Sequence, residues 1–200
     1  MGELAMAFFE SLVFAFGTLF VILDPFASVP AFLTLTRKLS EEERRSIAHK
    51  SVFLAAVLTY IFLFTGQSLL NVLGISLSSF KVAGGIVLGL MGLETILGFS
   101  VHSEKKEDND SIAVLIATPL LTGPGVITTT ILLSQQVGTL VTGIAAFLAL
   151  GLAFIILHFA PLLKNALGEK TINVFSKIMG LMLLALAVEF IRTGLAVSLG

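Results

Sequence analysis

The chain has 200 residues, 56% of them hydrophobic and only 12% charged, with a mean hydropathy of +1.03. Soluble domains carry about 25% charged residues, so a water-soluble globule is excluded, and a net charge of −1 excludes a basic nucleic-acid binder and an acidic disordered tail. With no cysteine the chain can form neither disulfides, Cys-ligated zinc or iron–sulfur sites, nor a thiol nucleophile. This is the composition of an integral membrane protein.

A membrane-spanning helix needs about 20 apolar residues, and six stretches reach that length: residues 8–36, 50–70, 76–99, 112–134, 138–160 and 174–197. The first has no positive leader and no small-residue cleavage site, so it reads as a span and not as a signal peptide. Asp24-Pro25 interrupts it, with Pro30 five residues on. A charged break, Arg37 to Arg45, follows. Within it Ser40 and Glu43 make a capping box, so the second helix starts before its apolar part, with Glu41 and Arg45 as an i,i+4 pair. Gly74 separates the second and third spans. The third carries Gly85 and Gly89 at the spacing of close helix packing. The polar run Ser103 to Asp110 precedes the fourth span, which Pro119, Gly123, Pro124 and Gly125 interrupt. Gly138 separates the fourth span from the fifth, and a polar break from Lys164 to Lys170 separates the fifth from the sixth.

Two offsets recur. Phe80, Gly85 and Glu94 of the third span reappear as Phe175, Gly180 and Glu189 of the sixth, 95 residues later, and Asp24-Pro25 matches Gly123-Pro124 at an offset of 99. Two repeats of three spans, residues 1–100 and 101–200, account for both. Three spans per repeat force opposite insertion of the two halves, the inverted-repeat plan of secondary transporters. The predicted fold is therefore an all-α membrane protein of six transmembrane helices in two inverted three-helix repeats, forming one membrane domain, with spans 1 and 4 broken at Pro/Gly motifs.

The breaks carry the candidate chemistry. Proline removes a backbone donor and clashes with the preceding turn, and the freed peptide groups must face protein or a water-filled cavity, because lipid cannot pair them. Half-helices resuming after Pro25 and Pro124 present N–H groups and a dipole end equivalent to about +0.5 charge, while the halves ending there present carbonyls. One cavity can then hold a carboxylate at one pole and an ammonium at the other, which fits a zwitterionic amino acid. Asp24, a carboxylate deep in an apolar stretch, costs about 2.5–3.5 kcal/mol to insert and is the leading site residue; it can also cap the half-helix that follows. Glu94 and Glu189 are coupling or gating candidates at opposite faces of the cavity, although Arg192 stands ready to pair with Glu189. Ser28, Thr122, Thr128, Thr129 and Thr130 offer hydroxyls, some of which must bond back to their own helix. Gly123 and Gly125 leave room for a substrate to approach the backbone. His49, His102 and His158 share no metal-ligand spacing, and neither HExxH nor a G-x-S-x-G elbow is present. Hence no enzyme, cofactor or metal is expected.

At these residues the chain resembles the MarC-related family of six-span membrane proteins, which includes a small neutral amino acid transporter. The motifs are Asp24-Pro25-Phe26-Ala27-Ser28-Val29-Pro30, Pro119-Leu120-Leu121-Thr122-Gly123-Pro124-Gly125-Val126-Ile127, and Phe80-Lys81-Val82-Ala83-Gly84-Gly85-Ile86 with Glu94 following. The first departs from the family pattern, with Ala27 for Gly and Ser28 for Asn, which bears on substrate range more than on fold. The resemblance implies transport of glycine, alanine, serine or threonine across the cytoplasmic membrane by alternating access. The substrate would contact Asp24, Pro25, Phe26, Ala27 and Ser28 from one half and Thr122, Gly123, Pro124, Gly125, Val126, Ile127 and Thr128 from the other. Coupling to protons through Asp24, Glu94 or Glu189, or to sodium at the freed carbonyls, goes with that reading. The alternatives are a passive channel or facilitator, or an exporter of another small polar solute.

Orientation follows from the basic residues. With the N-terminus outside, Arg37, Lys38, Arg44, Arg45, Lys50, Lys105, Lys106, Lys164, Lys170 and Lys177 lie inside, ten against Lys81 and Arg192 outside. Both termini are therefore expected outside. Single cysteines introduced at Gly2 and Ser103 check this: an impermeant thiol reagent applied to intact cells should label the first and spare the second, and the reverse pattern inverts the topology.

Overall fold

The computed structural model describes residues 2–98 and 121–199. Every regular element among them is a helix: α1 (Gly2–Leu23), α2 (Pro25–Leu35), α3 (Glu41–Val72), α4 (Leu77–Leu97), α5 (Pro124–Gln136), α6 (Thr139–His158) and α7 (Ala160–Leu199). Five helical stretches are long and apolar enough to cross a membrane: Met6–Leu35, which takes in both α1 and α2, Glu41–Val72, Leu77–Leu97, Thr139–His158 and Ala160–Val197. The start of the expected fourth span, the boundary between the expected repeats at residues 100 and 101, the polar run 103–110, His102 and Pro119 lie outside the described residues.

Local chemistry sets the helix ends. At Ser40 the capping box forms in both directions: the Glu43 N–H donates to Ser40 Oγ (3.2 Å) and the Ser40 N–H to Glu43 Oε2 (2.9 Å). That lets α3 begin nine residues ahead of the apolar stretch at 50, with Arg45 and Glu41 3.9 Å apart on its exposed collar. Ser76 caps α4 through the Ser79 N–H (3.1 Å). Two expectations need correction. Pro30 does not make a second break: α2 runs through it without interruption, because one turn after the N-terminus only one N–H is lost, and the Pro30 carbonyl still accepts from Thr34 Oγ1 (2.9 Å). Nor is Lys164 to Lys170 a loop. It is helical on either side of one non-helical residue, Gly168 (φ 75°, ψ 156°), a left-handed setting that glycine tolerates without steric cost.

The helices meet largely through glycine. α4 lies antiparallel along the second half of α7. A Cβ on Gly85 would sit 2.8 Å from the Ala187 carbonyl oxygen, one on Gly92 2.8 Å from that of Gly180, and one on Gly194 2.9 Å from that of Ser78. Backbone here touches backbone. α5 is the most enclosed element, with Gly125, Val126 and all of Thr128 to Ser134 buried. Its neighbours give way to it. A Cβ on Gly66 of α3 would collide with the Ile131 side chain, and one on Gly84 of α4 with Thr128. At 13 residues and 1.5 Å per residue, α5 is only about 20 Å long, short of a hydrocarbon core of about 30 Å. The remaining core runs along α1 and α6, where Ala15, Leu19, Ala145, Ala149 and Ala153 are buried.

The glycine contacts make a stability prediction. Gly92→Leu drives a branched side chain into the α7 backbone and should destabilise the fold by about 1–3 kcal/mol or more, the usual penalty of overpacking. Gly151→Ala meets nothing within 4 Å and should melt at or slightly above the wild-type temperature. Thermal unfolding in detergent, followed by circular dichroism, compares the two.

Candidate functional site

Asp24 is the single residue between α1 and α2 and the only non-glycine with positive φ among the described residues (φ 39°, ψ 62°). Aspartate tolerates this region better than most side chains, since its short polar group can bond locally. The helical ladder closes over it on both sides: the Asp24 N–H donates to the Phe20 carbonyl (3.2 Å), and the Ser28 N–H to the Asp24 carbonyl (3.3 Å). In between, Pro25 has no N–H to give, and the Ala27 N–H turns to Asp24 Oδ1 (3.2 Å). The carboxylate therefore caps α2. It is 6% exposed, and its second oxygen, Oδ2, has no partner among the described residues. A buried carboxylate oxygen left unpaired is costly, and a cap requires only the other oxygen.

The start of α5 has a different cap. Gly123 is the N-cap of α5 and supplies no side-chain bond, with Pro124 as first helical residue. The Val126 and Ile127 N–H groups both turn to the Gly123 carbonyl, at 2.9 and 3.4 Å. The positive end of α5 is thus unneutralised by any carboxylate of its own, whereas that of α2 already faces Asp24.

The Asp24 junction and the start of α5 are neighbours. A Cβ on Gly125 would lie 3.5 Å from Cγ2 of Ile22, two residues before Asp24. The glycine motif of α4 completes the group, with Gly84 against Thr128 and Leu88 against Gly125. The three sequence motifs therefore converge. Pro25, Ser28, Thr122, Gly123, Gly125, Val126 and Thr128 are buried, Phe26, Ala27 and Ile127 half-buried, and Pro124 exposed. Phe26 stacks on Phe175 of α7 (centroids 5.4 Å) and meets Phe20 edge-on (6.3 Å).

Some expected residues take other parts. Ser28 Oγ donates to the Asp24 carbonyl (3.3 Å) and Thr128 Oγ1 to that of Pro124 (2.8 Å). Both are back-bonded. Thr129 and Thr130, fully buried beside them, have no partner for their hydroxyls among the described residues, although Thr18, Thr36, Thr59, Thr65, Thr95, Thr142 and Thr193 all bond back one turn. The open approach expected at Gly125 is occupied: a Cβ there would meet Leu88 Cδ2 at 2.5 Å. Glu94 is half-buried on α4, and Glu189 is exposed on α7, held by Arg192 at 2.7 Å. Because α4 and α7 are antiparallel, these glutamates lie toward opposite ends of the pair, and neither is joined to Asp24 by any bond among the described residues. Leu88 and Ile22, which seal the junction, carry no sequence signal beyond being apolar.

The MarC family of integral membrane proteins matches residues 9–199. The chain belongs to that family. Among its relatives are a UPF0056 membrane protein of Archaeoglobus fulgidus, 36% identical over 197 residues and 92% of each chain, and one of Aquifex aeolicus, 39% identical over 195 residues and 90% of each chain. The UPF0056 membrane protein YvbG of Bacillus subtilis is 31% identical over 202 residues, 94% of this chain and 95% of that one. No solved structure matches. The protein is thus a multi-pass integral membrane protein.

The geometry at residue 24 separates the cap from the charge. Asn keeps the local bond to the Ala27 N–H and tolerates positive φ, so Asp24→Asn should melt within about 0.5 kcal/mol of wild type. Asp24→Val loses the cap and places a β-branched residue at φ 39°, at a cost of about 1–3 kcal/mol. Detergent melting temperatures of the two variants provide the comparison.

Proposed function

We propose that the protein is a secondary transporter that moves small neutral amino acids, glycine, alanine, serine and threonine, across the cytoplasmic membrane by alternating access. The carrying observation is a buried carboxylate with one oxygen unpartnered, beside a helix start without a side-chain cap. In this reading the substrate ammonium bonds Asp24 Oδ2. The substrate carboxylate faces the start of α5 at Gly123 to Val126, once the Leu88 side chain swings away from Gly125, because α2 is already capped. Side chains on Pro25, Phe26, Ala27, Ser28, Thr122, Ile127 and Thr128 shape the remaining space. Its neighbours there are apolar or hydroxylic, so a substrate side chain carrying charge would be left unpaired and is rejected.

The alternating halves are the two inverted three-helix repeats, residues 1–100 and 101–200, with six spans and both termini outside. The α4–α7 contact supports this. The close approach of Gly85 to Ala187 recurs as that of Gly92 to Gly180, and adding 95 to Gly85 and Gly92 gives Gly180 and Ala187. Buried Leu88 and Leu183 stand at the same offset at the centre. Coupling is to protons through Asp24, with sodium as the alternative ion, and Glu94 and Glu189 act as gating groups toward the two faces.

Uptake of radiolabelled glycine, alanine, serine and threonine into proteoliposomes, with and without a pH gradient, tests the reading. Saturable uptake with counterflow is expected, with no competition by lysine or glutamate. Asp24→Asn should fold and fail to transport. Linear, non-saturating flux would make the protein a channel or facilitator, and undiminished uptake by Asp24→Asn would reduce Asp24 to a cap.

A further inference from the structure

A second polar place lies beyond the three-motif junction, reached from the last residues of the first motif, Val29 and Pro30. A cavity of about 320 Å³ lies between α2 and the first part of α7, lined by Val29, Pro30, Leu33, Thr34, Arg37, Lys164, Glu169 and Ile172. It begins one turn along α2 from the Asp24 cap and ends at three charged side chains. Lys164 Nζ and Glu169 Oε2 are 3.4 Å apart. In an unbroken helix, residues five apart point some 140° away from each other. The pair forms across the break at Gly168, whose φ of 75° and ψ of 156° are non-helical. Arg37 adds a second cation, and no carboxylate among the described residues pairs with it. The cavity thus combines a fixed cation–anion pair, an additional positive charge and an apolar wall of Val29, Leu33 and Ile172.

We propose that this cavity is a waiting site for the transported zwitterion on the basic side of the membrane, its carboxylate taken by Arg37 and Lys164 and its ammonium by Glu169. The proposal rests on the transport reading above and gives that route a second station. A zwitterion matches the lining charge for charge: its own two charges lie as close together as those of Lys164 and Glu169, so it can bind beside the pair with each end against an opposite charge. The additional cation makes the carboxylate the anchoring end. At 320 Å³ the cavity is at the lower limit of small-molecule sites, about 300–1,000 Å³. Its position beside Val29 and Pro30 places it on the same helix whose first turn Asp24 caps.

The test uses the full chain in proteoliposomes, with alanine supplied in turn to each face. Lys164 and Glu169 are half to two-thirds exposed, and an exposed pair contributes about 0–1 kcal/mol to folding, so Lys164→Gln and Glu169→Gln should fold normally. Each should raise KM for alanine at the basic face by about tenfold or more, the value of one hydrogen bond to a charge, with kcat and the opposite-face KM little changed. In Glu169→Gln, propionate, which has the carboxylate without the ammonium, should compete with alanine better than it does in wild type. A merely structural role would scale both ligands alike. If wild type transports alanine while both variants keep wild-type KM at both faces, the waiting site is refuted and the transport reading stands. If wild type transports no small neutral amino acid, the transport reading fails first. If phosphatidylglycerol vesicles but not alanine raise the melting temperature of wild type, and Lys164→Gln abolishes that rise, the cavity holds a lipid headgroup and the proposal is overturned.

Discussion

Hydrocarbon offers a peptide group no hydrogen-bond partner, and the architecture follows from that one constraint. A chain this apolar can expose side chains freely but not backbone, so wherever a helix is interrupted within the bilayer the interruption must be enclosed. Asp24 is such a place. The break costs α1 and α2 the Pro25 donor, and the carboxylate restores one bond locally through Ala27. The start of α5 at Gly123 packs beside it, and α5, the shortest of the helices apart from α2, is wrapped by α1, α3, α4 and α6. Close approach to a buried helix requires small residues. Glycine therefore stands at 66, 84 and 125, where a Cβ would collide with or press on the neighbour.

The sequence made the class, most helix positions and the junction at Asp24 legible because each rests on local physics. Length and apolarity define a span, Ser40 with Glu43 defines a helix start, and a proline after an acid marks a break. Where the outcome depended on three-dimensional neighbours, the sequence could not carry it. Pro30 looked equivalent to Pro25, yet one turn into a capped helix a missing donor is tolerated. Lys164 to Lys170 looked like a loop by polarity, yet one left-handed glycine is enough to redirect a helix that otherwise continues. The residues that seal the junction, Ile22 and Leu88, were not legible, because leucine and isoleucine occur everywhere in such a chain. The different capping of the two half-helices was likewise hidden in the paired breaks, though the sequence already holds its cause: aspartate at one N-cap, glycine at the other.

That difference gives the two neighbouring helix starts unequal chemistry. A carboxylate fixed at one helix start and a positive helix end with no side-chain cap at the other provide two poles of opposite character. Two identical starts would both select anions. Thr129 and Thr130 deepen the contrast. Their hydroxyls, unlike those of most threonines in the chain, are not used in their own helix, and both belong to the half that lacks a side-chain cap.

The adjacent glycines of α4 have a mechanical consequence. Gly84 faces Thr128 of α5, and Gly85 faces Ala187 and Ile191 of α7, so at that level consecutive residues of one helix bear on two different partners. Side chains between helices act as springs, because rotamers can shift to absorb a displacement. Here no such spring is interposed on α4, only its backbone. At that level a shift of α5 by a few tenths of an ångström meets the α4 backbone with no α4 side chain between, and less of it is absorbed before it reaches α7. The glycine pair makes α4 a rigid strut between the enclosed helix and the long outer one.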